Sequence, residues 1–250
     1  VDLPDSGEKL SAQFWPGPLT LIVKKKPSVP DSVTAGLDTV AVRMPSHPVF
    51  LELASRCAFP LSAPSANPFG YVSPTRAEHV QEQMGNTLDW ILDGGPCERG
   101  IESTILSLAS TDELTLLRHG SISVAQIAKL LGQRVKTPNS SATESEKSLI
   151  SPGLMKRHYS PKTLVQLFEK VLPEGVDHSA IIFLSHTSCE KANHFSLSSE
   201  GALDEVAKNL YNLLQQLDQK GFQTLYLELP ENSGLGVAIR DRMTRAAAKG

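Results

Sequence analysis

Leu203, Val206, Leu210, Leu213, Leu214 and Leu217 fall at intervals that put them on one face of a helix, and Gly221 ends it. Apolar runs of buried-strand type flank this helix at 180–184 and 224–229. Strand, helix and strand in that order imply a βαβ unit with a right-handed crossover, hence a small doubly wound, Rossmann-like domain. The run 164–168 supplies another strand, and 237–248 a closing helix. Arg240, Arg242 and Arg245 are expected on that last helix's solvated face.

The first half of the chain is punctuated differently. Strands are expected at 19–23 and 39–43, bounded by Pro27, Pro30, Gly36 and Pro45. Helical spacing covers 48–58 through Val49, Phe50, Leu53 and Ala54. Thr75 reads as the N-cap of a helix through Ala77, Val80 and Met84 that Gly85 ends. Residues 90–92 read as a strand entering the Gly94-Gly95-Pro96 turn, 104–108 and 114–118 as a hairpin, and 123–131 as a helix closed by Gly132. From 133 to 148 there is no periodicity, only Ser, Thr, Asn, Lys and Glu in excess. Such a stretch buries too little apolar surface to order itself and reads as a linker.

A chain of 250 residues, 40% hydrophobic and 20% charged, can bury two cores. A net charge of −3 argues against an electrostatic nucleic-acid binder. No apolar run reaches bilayer-spanning length. Cys57, Cys97 and Cys189 are odd in number and lack metal-type spacing, which points to reduced thiols in the cytoplasm and against structural zinc. Cys97 has no local His signature that would make it a nucleophile.

Chemistry concentrates in a loop. Pro64-Ser65-Ala66-Asn67, then Gly70 and Ser73-Pro74-Thr75, follow the apolar run 58–61. Short hydroxyl and amide side chains among Pro and Gly let backbone N–H groups approach a phosphate, although the same composition also builds ordinary turns. Four further segments accompany the loop: Phe14-Trp15-Pro16-Gly17-Pro18-Leu19-Thr20; Asp38-Thr39-Val40-Ala41-Val42-Arg43; Asp93-Gly94-Gly95-Pro96 running to Gly100-Ile101-Glu102-Ser103-Thr104; and Ser151-Pro152-Gly153 running to Arg157-His158-Tyr159.

In this order the five motifs resemble the threonylcarbamoyl-AMP synthases in their long two-domain form. The resemblance implies an α/β fold: a YrdC-like twisted mixed sheet with helices over 1–132, a linker with a lid motif over 133–163, and a small Rossmann-like domain over 164–250. It implies condensation of L-threonine, bicarbonate or CO2, and ATP to threonylcarbamoyl-AMP and pyrophosphate. Mg2+ would accompany the ATP, and tRNA threonylcarbamoyl transferase machinery would take the product. The attacking group is the substrate's own carboxylate, so positioning and charge stabilisation replace a protein nucleophile. Residue by residue, the resemblance assigns ATP contacts to Thr39, Ser65, Asn67, Ser73, Arg118 and His158, and threonine contacts to Arg43, Ala63 and Ser103. Residues 151–159 would fold over the pocket as a lid.

The family's glycine-rich opening segment and its Lys-x-Arg motif have no counterpart here, and Lys24-Lys25-Lys26 does not match their pattern. The expectation is an N-terminally incomplete catalytic domain, impaired in turnover but able to bind in part. Two other readings stand beside this one. A non-catalytic RNA-binding module, with weak RNA contact, would show salt-dependent retention. A carbamoyltransferase accessory domain like that of hydrogenase-maturation proteins would lack the Ser-Pro-Gly and His-Tyr linker.

Overall fold

The computed structural model describes residues 1–110, 113–137, 158–172, 176–186 and 191–248. The Ser151-Pro152-Gly153 turn, Arg157, Cys189 and most of the expected linker lie outside the described residues. In chain order the elements run α1 (Asp5–Phe14), β1 (Leu19–Lys24), α2 (Asp31–Thr34), β2 (Thr39–Val42), α3 (Pro48–Arg56), α4 (Ala77–Met84), β3 (Thr104–Ser107), β4 (Leu114–Arg118), α5 (Val124–Leu131) and β5 (Val135–Lys136). They continue with β6 (Leu164–Phe168), β7 (Ser179–Ser185), β8 (His194–Ser198), α6 (Leu203–Asp218), β9 (Thr224–Glu228) and α7 (Leu235–Ala247).

Two compact units divide the chain. One joins Val1–Pro64 to Glu102–Leu154, the other Ser65–Ile101 to Met155–Gly250. The segment 65–101 is thus grouped with the C-terminal part of the chain and not with its sequence neighbours.

The first unit holds a mixed sheet in the order β2-β1-β3-β4-β5. β1 runs antiparallel to β2 and parallel to β3, β3 and β4 form the expected antiparallel pair, and β4 lies parallel to β5. β5 occupies residues expected to be linker, because Val135 is buried beside Leu114. Leu19, Leu21, Val23, Leu106, Leu114 and Leu116 form a core with Leu10 of α1 and Ile127 of α5. Ser123 caps α5 in a capping box with Gln126, and Gly132 ends it at φ 64.

The second unit holds an all-parallel sheet in the order β6-β9-β7-β8. Val165, Ile182, Leu225 and Leu227 share a core with Leu210, Leu214 and Leu217 of α6 and Ile239 and Met243 of α7. β8 has no counterpart in the sequence reading: Phe195 and Leu197 alternate with His194, Ser196 and Ser198, but two apolar residues are too short a run to mark a strand by period alone. Val72 and Ile101 join this same core from the segment 65–101.

Three expectations are corrected. Residues 90–92 are not a strand: Trp90 is 91% exposed, and a strand without a ladder partner has nothing to hold it extended. Thr75 does not cap α4, whose N-cap is Arg76; the Thr75 amide donates to Nδ1 of His79 at 3.2 Å and its carbonyl accepts from the Cys97 amide at 2.8 Å. Arg242 is not on a solvated face but fully buried, with Nη1 2.7 Å from Asp241 Oδ2 and its guanidinium over the Tyr159 ring at 5.4 Å.

Candidate functional site

Register places the first unit's polar residues in one row. Thr20 of β1 lies opposite Ile105 of β3, and Ile105 lies opposite Arg118 of β4. β2 pairs with β1 at Leu21 and Val42, so one step further Arg43 comes level with Thr20. The row Arg43, Thr20, Ile105, Arg118 faces away from Leu19, Leu21 and Leu106, which alternate into the core.

Arg118 is on this face because of a β-bulge. Leu106 pairs with Leu116 but Ile105 pairs with Arg118, so β4 passes two residues where β3 passes one. Without the extra residue, Arg118 would share the core face of Leu114 and Leu116.

Ser103, two residues before Ile105, completes the cluster. Its hydroxyl lies 2.7 Å from Thr20 Oγ1, buried, and accepts from Nη2 of Arg118 at 3.1 Å. Its carbonyl accepts from Arg118 Nε at 3.0 Å. Gly120 follows Arg118 closely enough that a Cβ there would stand 2.3 Å from the Thr104 amide nitrogen, so only glycine lets the chain pass. The Thr104 hydroxyl donates to the Ile122 carbonyl at 2.8 Å and accepts from its amide at 3.1 Å, which directs it into the core.

Arg43 donates from Nε to the Gly17 carbonyl at 2.9 Å. Gly17 is fixed in turn by its amide bond to the Met44 carbonyl at 2.8 Å. Arg43 exposes surface to solvent, yet surrounding protein desolvates its guanidinium and the Arg118 charge adds to this, so its pKa is lowered. That combination describes a cation in a recess beside a second cation. Among the described residues no carboxylate is paired with Arg43. Two converging guanidiniums and a hydroxyl suit an anion with planar or tetrahedral oxygens.

The other expected residues lie elsewhere. Thr39 opens β2 opposite Lys24, four residues from Arg43, about 13 Å along the strand. Ala63 is exposed in the first unit. Ser65, Asn67, Ser73 and His158 belong to the second. There Ser65 is exposed, while Asn67 Nδ2 donates to the Pro68 and Tyr71 carbonyls at 2.9 and 3.2 Å. Asn67 Oδ1 is buried without a donor among the described residues. Ser73 is buried, and its carbonyl accepts from Gln215 Nε2 at 2.9 Å. The His158 ring meets Tyr159 edge-on at 4.1 Å, and Tyr159 stacks on Tyr211 at 5.4 Å.

Arg43, Ser103 and Arg118 therefore come together, joined by Thr20, which sequence reasoning did not single out. Its signal was a threonine within the aliphatic run 19–23, two residues after the Trp-Pro-Gly-Pro segment. Cys97 exposes surface, yet the surrounding protein desolvates its thiol and pushes its pKa up, away from a reactive thiolate. Among the described residues there is no group of three or more His, Cys, Asp or Glu able to hold a metal, and no helix is long and apolar enough to cross a membrane.

Residues 1–120 match the Sua5/YciO/YrdC family, described as "Telomere recombination", and residues 122–248 match the C-terminal domain of threonylcarbamoyl-AMP synthase. A threonylcarbamoyl-AMP synthase of Pyrococcus abyssi is 34% identical over 98% of this chain and 75% of its own length. The chain belongs to the threonylcarbamoyl-AMP synthase family. The synthase of Bacillus subtilis is 37% identical, with 98% of this chain and 73% of that protein covered. The crystal structure of P. abyssi Sua5 complexed with L-threonine superposes with a TM-score of 0.86 at 32% identity, covering 99% of this chain and 75% of that one. The family and the two-sheet α/β architecture expected from the motifs are thus confirmed.

Proposed function

We propose that this threonylcarbamoyl-AMP synthase condenses L-threonine, bicarbonate or CO2, and ATP, releasing pyrophosphate. Threonine's amine adds to CO2 and loses a proton, or takes its carbon from bicarbonate with loss of water, to give an N-carboxylate. One oxygen of that carboxylate attacks the α-phosphorus of ATP. The bond from that phosphorus to the bridging oxygen breaks, and its electron pair leaves with pyrophosphate.

The observation that carries this reading is the Arg43–Ser103–Arg118 cluster with no carboxylate paired to Arg43 among the described residues. Arg43 holds the threonine carboxylate through its two Nη groups, with the Ser103 hydroxyl and the Ala63 backbone as further contacts. That a relative of the same fold was solved with L-threonine supports threonine as the substrate. Arg118 and Thr39 contact ATP, and Ser65, Asn67, Ser73 and His158 are its other contacts. Fixed guanidiniums stabilise charge that develops on phosphate without needing to reorganise.

The Arg43 cluster offers hydroxyls and guanidiniums rather than a carboxylate cage, so Mg2+ would be held by ATP's phosphates and water. The reaction takes place in the cytoplasm and feeds the machinery that transfers threonylcarbamoyl groups to tRNA. The decisive experiment is pyrophosphate release from ATP by the full-length protein, with and without L-threonine and bicarbonate. Threonine-dependent release that Arg43→Ala and Ser103→Ala abolish is expected. Release independent of threonine, or unchanged in both variants, overturns the reading.

A further inference from the structure

Helix α6 carries two kinds of surface. Leu210, Leu214 and Leu217 enter the second unit's core, as amphipathicity requires. A second stripe, Asn212, Gln215, Asp218 and Gln219, is polar and makes its bonds to residues 71–83. Asn212 Oδ1 accepts from Arg76 Nε at 3.2 Å, and Gln215 Oε1 accepts from Gln83 Nε2 at 2.6 Å. Gln219 Nε2 donates to Glu82 at 2.8 Å. Gln215 is buried, and its Nε2 also donates to the Ser73 carbonyl at 2.9 Å.

Asp218 joins two segments at once. Oδ2 accepts from the Tyr71 hydroxyl at 2.6 Å and the Lys162 amide at 3.2 Å. Oδ1 accepts from the Thr163 amide at 2.7 Å and the Thr163 hydroxyl at 2.8 Å. Nearby, the Ser160 amide donates to the Gly70 carbonyl at 3.0 Å, and the Ser160 hydroxyl donates to the Ala246 carbonyl at 3.1 Å. One carboxylate thereby ties the loop bearing Ser65, Asn67 and Ser73 to the residues that follow His158-Tyr159.

Mere packing of a helix on a loop does not need these groups. A buried amide and a half-buried carboxylate cost free energy unless each bond is made, and apolar side chains would pack as well. What the polar stripe adds is a fixed geometry for the loop backbone. Burial pushes the Asp218 carboxyl up, but its bonds from Tyr71, Thr163 and Lys162 outweigh that and hold it below the usual carboxylate range. The Tyr71 phenol is pushed up by burial and by Asp218.

We propose that Asp218 and Gln215, on the C-terminal domain's helix α6, are positioning residues for ATP: they brace the loop 65–75 and, through Asp218, lock it to residues 162–163. This rests on reading that loop as the nucleotide-binding segment. It assigns the C-terminal domain a task in the reaction that does not require it to touch substrate.

The test uses the full-length protein with Asp218→Asn and Tyr71→Phe. Three quantities are measured: amide hydrogen exchange of residues 65–75 without ligand, affinity for a fluorescent ATP analogue, and L-threonine affinity by calorimetry. Asp218→Asn is expected to speed exchange in 65–75 and weaken the ATP analogue about tenfold, equivalent to about 1.4 kcal/mol, with threonine affinity unchanged. Tyr71→Phe, which keeps the ring, should shift both in the same direction by less, and it decides the matter if Asp218→Asn fails to fold. Unchanged exchange and unchanged ATP affinity overturn the proposal. So does an equal loss for both ligands, which marks general destabilisation. Failure of threonine-dependent pyrophosphate release in the unmodified protein would sink the proposed reaction alone, because loop exchange reads the brace without any ligand.

Discussion

Arg118 grips Ser103 twice, with Nε on the carbonyl oxygen at 3.0 Å and Nη2 on the hydroxyl at 3.1 Å. The fork is possible because the bulge in β4 turns Arg118 onto the face that carries Ser103. A lysine keeps the charge but has no planar fork. Arg118→Lys should therefore lower kcat/KM for ATP at least tenfold, about 1.4 kcal/mol, in a pyrophosphate assay titrated with ATP. Wild-type efficiency would remove Arg118 from the site.

The Thr20 hydroxyl is buried 2.7 Å from the Ser103 hydroxyl. Thr20→Val keeps the shape and deletes the bond. The expected cost is about 1 kcal/mol in urea denaturation, with a raised KM for threonine as Ser103 loses its anchor. An unchanged denaturation midpoint and KM would show that Ser103 is held by Arg118 alone.

Two arginines of α7 should behave oppositely. Arg242 is fully buried against Tyr159, so Arg242→Ala leaves a cavity while Asp241 keeps its pair with Arg245; about 3 kcal/mol of destabilisation is expected. Arg240 bridges exposed Glu169 and also donates to the Pro230 carbonyl at 2.7 Å, and Arg240→Ala should cost about 1 kcal/mol or less. Equal effects in denaturation curves would contradict the burial pattern.

Asp218 predicts an acid limb. Its folded pKa is lowered, so its contribution is complete above the ordinary carboxylate value and is lost as pH falls below about 4 through the lowered value. The melting temperature of Asp218→Asn should lie below wild type at pH 7, with the gap closing toward pH 3. A gap independent of pH would mean that the carboxylate's charge is not what the Tyr71 and Thr163 bonds require.

Cys97 should be inert to the chemistry. It lies at the surface, yet the surrounding protein desolvates its thiol and raises its pKa, so it stays protonated near neutrality. Cys97→Ser is expected to release pyrophosphate at the wild-type rate, and slow alkylation by iodoacetamide should leave activity intact. Rapid inactivation would return Cys97 to the site.

Local chemistry was legible in the chain itself. The helix over 123–131 closed by Gly132, the apolar period of α6 and the β3–β4 hairpin depend on neighbours within a few residues or on one alternating face. Arg43 and Ser103 were legible through their motifs. Residues 90–92 misled because an apolar triplet specifies a strand only when another strand pairs with it. Thr75 misled because a cap residue next to a buried histidine can bond to that ring instead.

The sequence by itself determined helices α3 to α7, the strands other than β5 and β8, and which five motifs the chain carries, because propensity, period and capping act at short range. Tertiary structure alone decided which side chains meet. A one-residue bulge, invisible in composition, moves Arg118 from the core face to the face of Thr20. Burial of Arg242 follows from where Tyr159 packs, and Asp218 finds Tyr71 across 147 residues of chain. Contacts of that range depend on how the sheets and helices close on one another, and no local pattern encodes them.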